Sequence, residues 1–221
     1  MISIHNLHIA YNEQTVLKDL NATFASGQVH GIVGLNGTGK TTLLNTLFGF
    51  HKPTSGKILY QGKQLSKKHV AYLETTNYFY SNITGQEYLQ LFAKEKATYK
   101  AWNESFQLPL NELIEGYSTG IKKKLALMGV LLQDKPVLLL DEPFNGLDLE
   151  SIWLVKHMLA QIKQSKTILL TSHILETLTS TCDYIYKLGN KTITHTYSRE
   201  QFGLLQEQLY LELDEKTRLK A

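Results

Sequence analysis

The chain has 221 residues, one cysteine and a formal net charge of +3. This length predicts a single α/β domain, and the lone Cys182 excludes an internal disulfide, which favours a reducing cytosolic location. Interleaved acidic and basic residues exclude a large basic patch, so no nucleic-acid partner is expected.

The run Lys122–Lys124 is interpreted as a solvated helix face rather than a nucleic-acid patch. The N-terminus lacks a signal-peptide pattern, and every apolar run falls far short of the roughly 18 residues that a spanning helix needs. Any membrane role is therefore expected to come through a partner.

Residues 1–33 alternate polar and apolar residues in three short stretches, which predicts strands. A helix is expected from Thr41, ending at Gly49, and a strand follows at 57–63. Residues 76–134 hold no strong strand pattern but two segments of helical spacing, 84–102 and 121–133. The first third of the chain thus predicts strands, and the middle predicts helices.

The continuous apolar runs Val137–Leu140 and Thr167–Thr171 are typical of central strands in a parallel sheet. An amphipathic helix at 151–164 lies between them, which predicts a βαβ unit. Ser198 with Gln201 gives a helix-start pattern, and the segment 209–213 alternates like a short strand.

A glycine-rich segment, GLNGTGKT at 34–41, lies between a predicted strand and a predicted helix and matches the phosphate-binding P-loop pattern. Glycines let backbone N–H groups face phosphate oxygens, and the helix adds the positive end of its dipole. Lys40 is expected on the β- and γ-phosphates of a nucleotide, and Thr41 on Mg²⁺. The remaining expected contacts of the loop are Gly34, Asn36, Gly37, Thr38, Gly39 and Thr42. A glycine-rich turn that fits by chance is the alternative, and the flanking strand and helix disfavour it.

The apolar strand Val137–Leu140 ends in two carboxylates, Asp141 and Glu142. The carboxyl end of such a strand lies beside the P-loop, so Asp141 is expected in the magnesium shell. Glu142 is expected to act as a general base on the attacking water. A strand followed by an acidic turn is common, and only the preceding P-loop gives the pair this meaning.

The order of further motifs resembles the ABC ATPase family. Residues 117–121, YSTGI, resemble its LSGGQ signature, and 122–143 continue in the register of the family. This resemblance implies that Ser118 and the backbone N–H of Gly120 bind the γ-phosphate held by the P-loop of a second subunit. A plain helix cap is the alternative for Ser118.

Three more residues take roles from the same resemblance. The segment 145–148 resembles the D-loop, with Asp148 matching, and His173 after the strand 167–171 resembles the switch histidine that contacts the γ-phosphate. Tyr11 resembles the aromatic residue that stacks on adenine. A structural histidine and a plain loop tyrosine are the alternatives for His173 and Tyr11.

One position departs from the family pattern. Thr75, preceded by Glu74, stands where the family has a glutamine, and we hypothesise that one of the two replaces its contact with Mg²⁺ or water. The insertion is short, with 42 positions from Thr75 to Tyr117 (117 − 75). The aromatic residues of Asn77–Tyr80 are interpreted as a docking surface for a membrane subunit rather than as core.

The resemblance covers residues 1 to about 190. It implies an α/β fold: a P-loop NTPase core with a mixed, largely parallel sheet flanked by helices, an N-terminal antiparallel β subdomain and a compact helical insertion. A single domain is expected over 1–221. The expected parts are the core with its β subdomain at 1–74 and 135–197, the helical subdomain at 75–134 and a short C-terminal tail at 198–221.

The implied function is ATP binding and hydrolysis with Mg²⁺, powering export through a separate transmembrane permease on the cytoplasmic face of the membrane. Two complete sites require a head-to-tail homodimer, or a heterodimer with another ABC ATPase subunit. The signature form and the lean chain resemble ABC-2 type exporters. An importer subunit, a soluble mechanical ABC ATPase acting on nucleic acid or ribosomes, and a P-loop phosphotransferase are the alternatives.

Overall fold

A computed structural model describes residues 1–12, 14–93 and 96–218 of the chain. Its strands are β1 (Ile2–Tyr11), β2 (Gln14–Phe24), β3 (Gln28–Val33), β4 (Ser55–Tyr60), β5 (Lys63–Gln64), β6 (Val70–Leu73), β7 (Val137–Leu140), β8 (Thr167–Thr171), β9 (Tyr184–Gly189) and β10 (Thr192–Ser198). Its α-helices are α1 (Lys40–Phe48), α2 (Gly85–Gln90), α3 (Lys96–Phe106), α4 (Thr119–Leu132), α5 (Leu149–Ile162), α6 (Leu175–Thr181) and α7 (Phe202–Arg218). Within these ranges, no helix combines the length and apolar character that crossing a membrane requires.

The larger sheet has six strands in the order β10-β9-β3-β8-β7-β6. The five strands from β9 to β6 are parallel to their neighbours, and β10 pairs antiparallel with β9 at one edge. Every residue of β7 and β8 is buried, as the continuous apolar runs predicted. The parallel order brings the carboxyl ends of β3, β6, β7 and β8 to one edge of the sheet.

The smaller sheet is antiparallel, in the order β2-β1-β4-β5. Strand β1 buries Ile2, Ile4, Leu7 and Ile9 against the larger sheet and α1, because its alternation resumes after an irregularity between Ile4 and Leu7. The three strands predicted within residues 1–33 are therefore confirmed, although the third, β3, lies in the other sheet.

Strand β7 divides the apolar core because its side chains alternate across the sheet. Val137 and Leu139 pack with α1 and the smaller sheet. Leu138 and Leu140 pack with the helices α4 and α5 on the opposite face. The mixed sheet thus carries the β subdomain on one face and the helical insertion on the other, which confirms the predicted fold class.

The helical insertion leaves the larger sheet after β6 and returns at β7. The segment predicted as one helix at 84–102 forms two, α2 and α3. Helix α2 begins at a capping box, in which Thr84 Oγ1 accepts from the Glu87 N–H at 3.2 Å and a Glu87 carboxylate oxygen accepts from the Thr84 N–H at 2.7 Å. The division of the chain into subdomains at 75 and 134 stays a prediction.

The C-terminal segment corrects one expectation. Residues 209–213, predicted as a short strand, lie in helix α7. Leu205 is fully buried and Leu209, four residues later, packs on the same core, so the apolar spacing that decides the structure is helical. The predicted helix start is present, since the Gln201 side chain accepts a hydrogen bond from the Ser198 N–H at 3.1 Å.

Candidate active site

The P-loop, residues 34–39, connects β3 to α1 at the carboxyl edge of the larger sheet. A Cβ on Gly34 would lie 2.4 Å from the carbonyl oxygen of Leu188, so only glycine fits there. Gly39 caps α1 with φ 102°, in the left-handed region, and supplies no side-chain cap. The first N–H groups of α1 are therefore left for an anion at the helix N-terminus.

Lys40 lies across this loop. Its Nζ donates to the carbonyl oxygens of Gly34 at 2.8 Å and Leu35 at 3.3 Å. Burial lowers the pKa of Lys40, while the carboxylates of Asp141 and Glu142 act in the opposite direction. The ammonium is thus held inside the loop, where phosphate oxygens can replace the two carbonyls as its acceptors.

Asp141, at the end of β7, is 1% exposed and receives three threonine hydroxyls. Thr41 and Thr75 donate to Oδ2, each at 2.7 Å, and Thr171 donates to Oδ1 at 2.5 Å. The P-loop helix, the segment after β6 and the end of β8 therefore meet at one carboxylate. Hard oxygen donors of this kind suit Mg²⁺, so the predicted metal residues Thr41, Asp141 and Thr75 fit the ion by their chemistry.

Thr171, the third threonine of this cluster, ends a predicted strand but belongs to no motif that indicated a role for it. Its hydroxyl also accepts a hydrogen bond from the Glu142 N–H at 3.0 Å, so it holds both carboxylate residues. A hydroxyl side chain that ends a buried apolar strand is the signal that could have found it. The pairing of β7 with β8 places it beside Asp141.

Glu142 has a left-handed backbone with φ 51°, which is uncommon for a residue other than glycine. Its Oε2 accepts from the backbone N–H of His173 at 3.2 Å and lies 2.9 Å from Nδ1 of the same residue. The Glu142 side chain is 14% exposed and that of His173 is 52% exposed. Glu142 and His173, two of the predicted catalytic residues, are therefore neighbours at an open edge of the sheet.

The signature segment and the D-loop segment lie side by side at two helix N-termini. Ser118 caps α4, with its hydroxyl accepting a backbone N–H three residues later at 3.3 Å, and Asp148 caps α5 in the same way at 2.8 Å. Lys124 lies 3.9 Å from Asp148, and a Cβ on Gly120 would lie 3.0 Å from the Gly146 carbonyl oxygen. Within the described ranges, no hydrogen bond or ion pair joins Ser118 or Gly120 to the P-loop.

Apolar side chains are exposed on the first turns of α5, directly after the D-loop segment. Leu149 is 83% exposed and Trp153 is 65% exposed. Trp153 stacks on His157 with ring centroids 5.3 Å apart. The surface beside the signature segment is thus partly apolar.

Tyr11, at the end of β1, is half-exposed and meets the His51 ring edge-on at 5.0 Å. The hairpin that carries it borders the P-loop, because Val16 and Leu17 lie about 3 Å from where a Cβ on Gly39 would be. The stacking of Tyr11 on adenine stays a prediction.

Lys123 corrects the interpretation of the basic run as a solvated face. It is 4% exposed, whereas Lys122 and Lys124 are half-buried. Its Nζ donates to the carbonyl oxygens of Glu74 and Thr75 at 3.4 and 3.5 Å. Burial lowers the pKa of Lys123 to about 8, opposed by the carboxylates near it.

The aromatic segment after β6 divides into exposed and packed residues. Tyr78 is 82% exposed and Tyr80 is 72% exposed. Phe79 between them packs against Tyr88 of α2, with ring centroids 5.0 Å apart. A half-buried phenylalanine therefore anchors a loop that presents two tyrosines.

Sequence and structure comparisons both find similarity to ATP-binding proteins of ABC transporters. Residues 17–145 match the family model described as ABC transporter. The chain is similar to the ABC-type transporter ATP-binding protein EcsA of Bacillus subtilis (strain 168), with 30% identity over 96% of each chain. It is also similar to the bacitracin transport ATP-binding protein BcrA of Enterococcus faecalis, with 30% identity over 84% of this chain and 65% of BcrA. A solved structure titled as the ATP-binding subunit of an ABC transporter matches with TM-score 0.87 and 29% identity, over 97% of this chain and 99% of the other.

Proposed function

Because the chain belongs to the ABC transporter family, we propose that its ATPase activity powers export through a separate transmembrane subunit. The observation that carries the proposal is the Asp141 carboxylate, on which Thr41 in the first turn of α1 and Thr75 after β6 converge. Glu142 and His173 lie beside it at the same edge of the sheet.

ATP binding rests on the P-loop. Its N–H groups and the N-terminus of α1 would receive the phosphates, and Lys40 would move its hydrogen bonds from loop carbonyls to the β- and γ-phosphates. Thr41 and Asp141, joined by Thr75, would hold Mg²⁺. The ion supplies charge neutralisation on the γ-phosphate.

Hydrolysis rests on Glu142. Its carboxylate takes a proton from water as the water oxygen bonds to the γ-phosphorus, while the bond from that phosphorus to the β,γ-bridging oxygen breaks and ADP leaves. The hydrogen bonds from His173 fix the orientation of the carboxylate. By the family resemblance, His173 would donate to the γ-phosphate once it turns from Glu142.

A complete site requires a second ATPase subunit, either a copy of this chain or a related one. The capped N-terminus of α4 presents Ser118 and the Gly120 N–H outward, and these groups would receive the γ-phosphate held by the other subunit. The exposed Leu149 and Trp153 beside them suit burial in such an interface. ATP joins the two subunits, and hydrolysis releases them.

The membrane partner is proposed to dock on the loop after β6. Tyr78 and Tyr80 offer apolar surface with a polar tip, which is common in interfaces, and the packed Phe79 holds the loop in place. The loop continues from Thr75, so docking and the proposed metal site are adjacent in the chain. Through this partner the chain would be peripheral on the cytoplasmic face of the membrane.

The test combines two measurements on the full chain. Mg²⁺-dependent phosphate release by the purified protein tests the ATPase. Affinity purification from native membranes, followed by mass spectrometry, tests the partner: recovery of a multi-spanning protein is expected, whereas recovery of ribosomes or nucleic acid would overturn the export proposal.

A double variant, Tyr78→Ser with Tyr80→Ser, is expected to lose the membrane protein while keeping basal phosphate release. Leu204→Ser is the matched control, since Leu204 is also exposed (56%) but lies on α7. Retention of the membrane protein by the double variant, with the control unchanged, would show that the tyrosines are not the docking surface.

A further inference from the structure

A buried lysine joins the signature helix to the proposed metal site. Lys123 lies on α4 five residues after the Ser118 cap. Its ammonium contacts the carbonyl oxygens of Glu74 and Thr75, which lie 49 and 48 residues earlier in the chain. The same Thr75 donates its hydroxyl to Asp141.

This position is costly for a charge. Lys123 is 4% exposed and makes no ion pair within the described ranges at 4 Å or less. Burial lowers the pKa of Lys123 to about 8, and the carboxylates of Asp141 and Glu142 act to raise it. A methionine of similar length would fill the same space without the desolvation penalty, so folding alone does not call for a lysine here.

Lys123 contacts Glu74 and Thr75, and Thr75 stands at the position where the ABC ATPase family has a glutamine. The hydroxyl of Thr75 is short, and it reaches Asp141 only if the backbone after β6 stays close to the sheet edge. The Thr75 residue itself is exposed, so few side-chain contacts fix it. Two carbonyls held by one ammonium supply that restraint.

We infer that Lys123 is a positioning residue for the metal site: from the signature helix, it holds the Glu74 and Thr75 carbonyls so that the Thr75 hydroxyl stays on Asp141. The inference rests on the proposed function, since it concerns how Mg²⁺ is held with ATP. It also gives the helix that meets the second subunit a direct contact with the metal site of its own chain.

The test compares the full wild-type chain with Lys123→Met and with the matched control Lys122→Met. Lys122 lies on the same helix and carries the same charge, but its Nζ contacts the Glu115 carbonyl at 3.3 Å, away from the metal site. Three quantities are measured by thermal unfolding: the midpoint of the apo protein, the shift caused by ATP in EDTA, and the Mg²⁺ concentration that gives half of the additional shift. Phosphate release gives kcat and KM in parallel.

Lys123→Met is expected to unfold at the wild-type temperature or above, and to show the wild-type shift with ATP in EDTA. Its half-saturating Mg²⁺ concentration should rise on the order of tenfold, as for other residues that orient metal ligands. Lys122→Met should match the wild type, and Lys123→Arg, which keeps a cation, should return toward it. If Lys123→Met does not fold, Lys123→Gln, which keeps N–H donors, serves for the same comparison and should show a smaller rise.

An unchanged Mg²⁺ midpoint in Lys123→Met would overturn the inference, and a large loss of apo stability with that unchanged midpoint would assign Lys123 to packing instead. A wild-type chain without Mg²⁺-dependent phosphate release would instead refute the proposed function. The two failures are thus distinguishable.

Discussion

Asp141→Asn should separate the folding role of the buried carboxylate from its role in binding. An asparagine can keep partners for all three threonines, because its oxygen can accept from Thr41 and Thr75 while its NH₂ group donates to Thr171, which reverses the direction of the third bond. Hydrogen bonds to a charged group contribute about 1.5–3 kcal/mol each and neutral ones about 0.5–1.5, so the three lose about 3–4.5 kcal/mol together. Removing a buried charge also removes its desolvation penalty, which is several kcal/mol and similar in size to that loss. The apo stability is therefore expected to stay within about 2 kcal/mol of wild type.

Binding should respond differently. At 100 times its Kd, Mg·ATP stabilises the wild-type fold by about 2.7 kcal/mol. For a domain of this size each kcal/mol shifts the unfolding midpoint by about 2–4 °C, which gives about 5–11 °C in total. Asp141→Asn should lose most of the part that depends on Mg²⁺ and keep the shift that ATP gives in EDTA.

Differential scanning fluorimetry with and without Mg²⁺ measures both effects in one experiment. Asp19→Asn, the same change at an exposed residue of the smaller sheet, is the control and should behave as wild type. The reasoning would be refuted if Asp141→Asn kept the full Mg·ATP shift. It would also be refuted if the apo protein lost far more stability than the hydrogen-bond comparison allows.

Three further predictions concern other parts of the chain. Glu142→Gln keeps an acceptor for His173 but removes the base, so phosphate release should fall about 10²–10⁴-fold while an ATP-bound dimer accumulates in light scattering; normal turnover would remove Glu142 from this role. Gly31→Ala places a Cβ 2.8 Å from Cys182 Sγ and should lower the free energy of unfolding in urea by about 1–3 kcal/mol. An unchanged urea midpoint would show that the side chains packed around β3 can move to accept the methyl group. Burial acts to raise the pKa of the Asp183 carboxyl, but hydrogen bonds from a β3 amide and a lysine lower this pKa on balance. The stabilisation that the carboxylate gives is therefore complete above the usual pKa of an aspartate, and it is lost as the pH falls through the lowered pKa. Asp183→Asn should therefore lower the free energy of unfolding at pH 7 by about 1–3 kcal/mol, seen as a lower thermal midpoint, and this difference should shrink below about pH 4. A difference that stays constant with pH would contradict this.

Much of the fold could be predicted because its central elements have local patterns. The runs Val137–Leu140 and Thr167–Thr171 match β7 and β8 residue for residue, since a buried parallel strand is continuously apolar. The strands β6, β9 and β10 were left unassigned. Two of them, β6 and β10, lie at the edges of the larger sheet, and β10 is rich in polar residues, which gives a weaker signal. The alternation at 209–213 wrongly predicted a strand. Burial of Leu205 and Leu209, four residues apart, against the core stabilises a helix there instead.

The candidate site was predictable where a motif is contiguous. The P-loop and the pair Asp141 and Glu142 follow from residues adjacent in the chain and from the order of strands. The burial of Lys123 did not follow, because the run of three lysines looks uniformly solvated on a helix. Only the approach of the segment after β6, remote in sequence, encloses the middle one. A local sequence pattern holds no information on contacts between distant segments, so it could not predict this burial.

The position of Trp153 gives the chain its own optical reporter. There are two tryptophans: Trp102 is packed against the core in the helical insertion, and Trp153 is 65% exposed on α5 beside the D-loop segment. Indole emission moves to shorter wavelength when water is removed from the ring. Closure of two subunits around ATP would cover Trp153 and leave Trp102 in the same surroundings. Assembly of the unlabelled protein would therefore shift its tryptophan emission maximum to shorter wavelength.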